Sequence, residues 1–199
     1  MRLSPGFDPL VDLAGCWTTA LAERYLPIRE LAGARHECVA GRLVLGPFRR
    51  ASESFGTASL ACALIPNAEA TGRYVHGRVN LTFAPDTWIQ PDITVLHSLP
   101  ATDDEDRWIP VDFCTMAVEV VSGDGPESPR VDRAALCAER GVPYFLRVRI
   151  DRAPAYAEAE LLGLGPDGRY GRVAAAVAGR RLRADLPFPI DFDPADLLP

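Results

Sequence analysis

The sequence predicts a single mixed α/β domain, and three observations lead there. Segments with helical spacing of apolar residues alternate with segments of strand-like alternation. Their order is helix, strands, helix, strands, helix, strand and a β tail. The 199 residues suit one domain with its own core, with 48% hydrophobic and 24% charged residues. No internal repeat, low-complexity tract or long linker divides the chain.

The elements follow in order. From Asp8 to about Glu30, Leu10, Leu13, Trp17, Leu21 and Leu26 recur near helical spacing, with Asp8-Pro9 as N-cap and first-turn proline. "HECVAGRLVLG" reads as a strand, a glycine bend and a second strand. Ser52 to Leu64 is Ala- and Leu-rich and predicts a helix that stops before Pro66. "GRYVHGRVNLTF" alternates as one strand and "PDITVLHS" as another, and "ATDDEDRW" reads as a charged loop. "DFCTMAVEVVS" is nearly continuously apolar, the pattern of a strand buried on both faces. The turn-rich "GDGPESP" leads to a short helix in "RVDRAALCAER", closed by Gly141 and Pro143. "YFLRVRI" is a strand. "AYAEAELLGL" and "RYGRVAAAVA" form a hairpin across "GPDG", and a last strand in "RRLRADL" precedes "PFPIDFDPADLLP". Residues 1–34 are expected as a helical segment packed on a core domain of residues 35–199.

Composition excludes several chemistries. All 21 basic residues are arginine, so phosphate-loop lysines, Schiff bases and lysine-assisted nuclease centres are closed to this chain. The net charge of -6 argues against a free-standing non-specific nucleic-acid binder, while abundant Arg allows a local basic groove. Cys16, Cys38, Cys62, Cys114 and Cys137 are scattered with no CxxC, which fits free thiols in a reducing cytoplasm. No apolar run reaches the roughly 20 residues of a membrane span.

Several motifs fail on context. "GLGPDG" matches GxGxxG, but a strand follows it where a nucleotide cofactor needs a helix N-terminus. No GxSxG is present. His36, His76 and His97 lack metal-pair spacing, and "DDED", Asp103 to Asp106, reads as a solvated run.

What remains is a pair of acids in strands. Asp92 follows Pro91 at a strand start, and Glu119 lies in the most apolar strand. A buried carboxylate needs a partner, which here is either one of the many arginines or a divalent metal. Mg²⁺ favours carboxylate oxygens and keeps waters, one of which can attack a phosphodiester.

From about His36 to Pro189 the chain resembles the bacterial family named Putative restriction endonuclease, within the PD-(D/E)xK nuclease superfamily. The likeness lies in the order of "HECVAGRLVLGP", "QPDITVL", "MAVEVVS", "LCAERGVPYFLRV" and "PFPIDFDPADL". The resemblance implies a restriction-endonuclease-like mixed central sheet flanked by helices. It implies a Mg²⁺- or Mn²⁺-dependent endonuclease acting on DNA. A homodimer is expected on separate grounds, as the commonest assembly of soluble chains. Asp92 and Glu119 would hold the metal, with the Val120 carbonyl as a further ligand and Glu37 approaching from the N-terminal side. The family's lysine position, eight residues before the Gly of "GVP", is Arg133 here. Ser122 is kept, its following Pro is Gly123, and the acid four residues before the lysine is Pro129, with Asp132 out of register. Arg can meet a phosphate through its donor fork but is a poor proton acceptor. The alternative is therefore a catalytically silent relative that keeps the fold as a dimerising or binding module.

Overall fold

A computed structural model describes residues 6–28, 34–46, 48–122 and 131–199. Its first hairpin follows directly from the sequence. β1 (Arg35–Val39) and β2 (Arg42–Gly46) pair antiparallel across Ala40-Gly41, both with positive φ. Such a two-residue turn matches strand twist. Gly41 meets a second constraint, because a Cβ there would lie 2.5 Å from the Gly15 carbonyl oxygen.

The chain before it is less regular than its apolar spacing suggests. Instead of one helix there are two short ones, α1 (Pro9–Asp12) and α2 (Thr19–Tyr25), each with its own side-chain N-cap, Asp8 and Thr18. Between them the Trp17 amide donates to the Gly41 carbonyl at 3.0 Å. This ties the break to the β1–β2 turn and sinks Trp17 among Ala22, Cys38 and Trp88. Tertiary burial of one indole outweighs local periodicity. Residues 29 and 30, at the end of the expected helix, lie outside the described residues.

α3 (Ala51–Ala70) runs through Pro66 rather than stopping before it. Pro66 is exposed, so the carbonyl its missing N–H leaves free can face water. Gly56, Leu60, Leu64 and Ala68 form a stripe four residues apart and are all buried. Burial of Leu60 and of Leu64 contributes about 1.5–3 kcal/mol each.

"GRYVHGRVNLTF" divides into β3 (Tyr74–His76) and β4 (Leu81–Ala84), which join different sheets. β5 (Thr87–Ile89) and β6 (Ile93–Leu96) follow. The charged run is not a loop: α4 (Asp103–Arg107) forms there. Thr102 accepts from the Glu105 amide at 3.2 Å, and four acids of its first turn face the positive helix end. β7 (Ile109–Pro110), a 3₁₀ turn at Val111–Phe113 and β8 (Cys114–Val121) come next. The "GDGPESP" connection lies outside the described residues. α5 (Arg133–Glu139), β9 (Tyr144–Asp151), β10 (Tyr156–Leu164) and β11 (Tyr170–Val177) match the sequence reading. β12 (Leu182–Ala184) pairs with a strand the sequence did not announce, β13 (Ile190–Phe192), before a closing 3₁₀ turn at Pro194–Leu197.

One sheet runs β2-β1-β5-β4-β7 and a second runs β11-β10-β9-β8-β6-β3. β8 and β9 are parallel, joined through α5, and β6 lies antiparallel to β8. β8 is covered on both faces, as its apolar run requires. Met116, Val118 and Val120 pack with α3 residues Leu60 and Leu64 in one core cluster. Ala117 belongs to the other cluster, with Cys137 of α5. Glu119 shares the parity of Ala117 and so points toward α5. Among the described residues, no helix is long and apolar enough to cross a membrane.

Candidate functional site

The β6–β8 register builds the site. Ile93 pairs with Val118 and Thr94 with Ala117. Carried one residue further, that register sets Asp92 opposite Glu119, where antiparallel side chains share a face. The Asp92 amide donates to the Val118 carbonyl at 2.9 Å, and the Val120 amide donates to Asp92 Oδ2 at 2.7 Å. Asp92 is 2% exposed. Its place at the strand start and its bond to the next strand explain why a carboxylate opens this strand.

Arginines surround the acids. Arg35 Nη2 and Arg49 Nη2 both donate to Asp92 Oδ1. Arg133, the first residue of α5, clamps Glu37 with Nε–Oε1 and Nη2–Oε2 bonds of 2.8 Å each, and its Nη1 donates to Glu119 Oε1. The Gln90 amide gives Glu37 Oε1 another bond at 2.7 Å. Burial alone would lower the Arg133 pKa, but hydrogen bonding to Glu37 and the charges of Glu37, Glu119 and Asp92 hold it above its ordinary value. Arg78 stands beside the cluster. Burial lowers its pKa, with repulsion from Arg35 and Arg49 adding to the effect.

The candidate residues therefore stand together: Asp92 opposite Glu119, and Glu37 joined to Glu119 through Arg133. The Val120 N–H donates to Asp92 Oδ2; the Val120 carbonyl, expected as a metal ligand, takes no part in that bond. Ser122 Oγ donates to Glu53 Oε1 at 2.6 Å, pinning the start of α3 to the end of β8. Asp132 caps α5 through the Ala135 amide at 2.9 Å. Gly123 and Pro129 lie outside the described residues. His97 Nδ1 meets Thr115 Oγ1 at 3.2 Å, away from the acids. In "GLGPDG" the Gly165 amide donates to the Arg169 carbonyl at 2.8 Å, closing a turn between β10 and β11.

Whether these residues suit a divalent cation follows from their lone pairs. Hard oxygen donors are present. Yet Asp92 Oδ1 already accepts from two guanidiniums, Oδ2 from a backbone amide, and both oxygens of Glu37 from Arg133. A cation at Asp92 would have to displace Arg35 and Arg49 and sit among positive charges. As arranged, the donors do not fit a bound metal. Among the described residues, no three His, Cys, Asp or Glu side chains gather as a ligand set.

Sequence reasoning missed Arg35, Arg49, Arg78 and Gln90. One signal existed: Arg35 and Glu37 are two apart in a strand and share a face. For Arg49 and Arg78 no spacing pointed to the site.

Residues 22–197 match the family described as Uma2, Putative restriction endonuclease. The chain belongs to this family. Among solved structures, it is similar to one described as a putative nuclease belonging to DUF820 from Anabaena variabilis. The TM-score is 0.58 and the identity 16%, over 88% of this chain and 94% of that one. At that identity the likeness establishes the shared fold. No curated protein matches the chain.

Proposed function

We propose that this member of the family binds nucleic-acid phosphodiesters at the Asp92–Glu119–Glu37 centre without hydrolysing them. One observation carries the reading: every acid of the centre is held by an arginine; one of them, Arg133, is the residue that the family resemblance sets at the lysine position. Four guanidiniums, those of Arg35, Arg49, Arg78 and Arg133, face three carboxylates. The excess positive charge favours an anion over a cation. Arg78 makes no hydrogen bond or ion pair with another described residue and feels the charges of Asp92 and Glu37, so its donor fork can turn toward a phosphate oxygen. A water nucleophile would need a residue to take its proton, and Arg133 cannot do so near neutral pH.

A second reading has its own support. Asp92 and Glu119 lie opposite one another, the placement a metal-dependent endonuclease requires. DNA phosphates drawing Arg35 and Arg49 away from Asp92 would free its oxygens for Mg²⁺ or Mn²⁺. In a homodimer two such centres would address two strands, which light scattering can test.

The deciding experiment measures binding and cleavage of labelled duplex DNA with Mg²⁺ or Mn²⁺. It compares the native chain, Asp92→Ala and Arg133→Lys, each checked for folding by circular dichroism. The proposal expects salt-sensitive binding by the native chain and no cleavage. Cleavage by the native chain that Asp92→Ala abolishes would establish the second reading instead. Cleavage by Arg133→Lys alone would mark a centre silenced at that position. If DNA is neither bound nor cut, both readings fail.

A further inference from the structure

A cavity of about 500 Å³ adjoins the centre, between α2, α4 and the sheet that carries β1 and β5. Its volume falls in the range of small-ligand pockets. Leu26, Pro27 and the half-buried Trp108 give it apolar walls, and Asn80 and Gln90 give it two side-chain amides. Neither amide is saturated. Gln90 Nε2 uses one hydrogen on Asn80 Oδ1 at 2.8 Å, and Asn80 Nδ2 uses one on the Arg107 carbonyl at 3.0 Å. Each keeps a second N–H and a carbonyl lone pair. His36 also lines the cavity, and its buried Nε2 has no hydrogen-bond partner among the described residues. Burial lowers the pKa of this imidazole, against the opposing effect of the Ala34 carbonyl.

The cavity and the centre share residues. Gln90 places its side chain in the cavity wall while its backbone amide holds Glu37. Arg78 lines the cavity and feels Asp92, Glu37, Arg35 and Arg49. The lining also holds Asp106 and a Glu23–Arg107 pair, with Glu23 accepting from Trp108 Nε1 at 2.9 Å; apolar walls, two unsaturated amides and the Arg78 guanidinium match a planar heterocycle carrying a phosphate.

We propose that this cavity is a nucleotide subsite: it takes one nucleobase against Trp108 and the Asn80–Gln90 amides, with the nucleotide's phosphate on Arg78. The proposal rests on the reading that the adjoining centre meets phosphodiesters, and deepens it by naming the unit recognised. An unstacked base in a single strand and a free mononucleotide present the same chemistry.

Trp108 supplies the probe. Trp88 backs the cavity wall, but it and Trp17 are each 1% exposed, so Trp108 is the indole whose surface a ligand covers. Tryptophan emission is followed while dAMP, dCMP, deoxyribose 5-phosphate or a single-stranded oligonucleotide is added. The expected result is saturable quenching by the mononucleotides and none by the base-free sugar phosphate. Arg78→Ala should weaken mononucleotide binding by about tenfold or more, the value of a lost charge-assisted hydrogen bond. Trp108→Phe should remove most of the emission change while equilibrium dialysis still detects the nucleotide. Quenching by the oligonucleotide at lower concentration than by dAMP assigns the site to a base in a strand; the reverse assigns it to free nucleotides. If neither mononucleotide quenches the native protein, or if the base-free compound quenches equally, the subsite is refuted. Retained binding of duplex DNA in that case would leave the phosphodiester reading standing, so the two failures are distinct.

Discussion

Replacing Arg133 by Ala removes three hydrogen bonds at once: two of 2.8 Å to Glu37 and one to Glu119. The side chains of Arg133, Glu37 and Glu119 are 12%, 3% and 15% exposed. Glu37 would keep the Gln90 amide as its hydrogen-bond partner, and its buried charge would lose its directly bonded cation, with Arg78 left only as a longer-range one. Removing one partner of a buried ion pair costs about 3–5 kcal/mol. Total stabilities of such domains are about 5–15 kcal/mol, so the loss is a large fraction of the whole. The assay is urea unfolding followed by circular dichroism, where the midpoint should fall and the slope stay constant. Combining Glu37→Gln with Arg133→Ala removes the stranded charge and should recover about 1–3 kcal/mol, the usual coupling of contacting residues. Arg133→Lys should lie between, because a single ammonium cannot span both carboxylates. A loss below about 1 kcal/mol for Arg133→Ala, with no coupling to Glu37, would place the pair in the range of exposed salt bridges. The network would then not hold in solution, and the case against a metal would lose its basis.

Four further outcomes are expected. Gly56→Ala would place a Cβ 2.2 Å from Ile150 Cδ1 and 3.0 Å from the Leu197 carbonyl oxygen, so thermal unfolding should show a loss of about 1–3 kcal/mol. Pro66→Ala should raise stability by up to about 3 kcal/mol in the same assay, since it restores a helical N–H at an exposed site in α3. Cys16 and Cys62 should react rapidly with iodoacetamide, and Cys38, Cys114 and Cys137 slowly, because the first two are exposed and the others buried. Burial pushes the Cys38 thiol up to about 11 and the Cys137 thiol up to about 12, from an ordinary 9.0. Each thiol stays protonated in the fold after it would ionise in the unfolded chain. Its contribution is therefore complete below pH 9 and falls toward about pH 11 or 12, at about 1.4 kcal/mol per pH unit. Cys137→Ala should flatten that decline.

The elements legible in the sequence are those in which local pattern and tertiary need agree. β8 announced its two-sided burial, and the β10–β11 hairpin announced its turn. Where burial of one group decides, the pattern misleads. Trp17 breaks a helix to reach the core, and Pro66 survives in α3 because its orphaned carbonyl can face water. The single strand expected over 72–83 parts into two sheets, a long-range outcome that alternation cannot encode. At the site, Asp92, Glu119, Glu37 and Arg133 were legible from strand starts, apolar runs and family order. Their guanidinium partners were legible only as an alternative, since sequence spacing cannot say which of 21 arginines returns to Asp92. Arg49 and Arg78 reach the site from outside the strands that carry the acids.

The most direct test of the arginine-filled centre is a Mn²⁺ titration of the native protein, followed by electron paramagnetic resonance of the free ion. If guanidiniums occupy the carboxylate oxygens, the free-ion signal should grow in proportion to added Mn²⁺, with no site-bound fraction. One Mn²⁺ bound per chain, and lost in Asp92→Asn, would contradict the account.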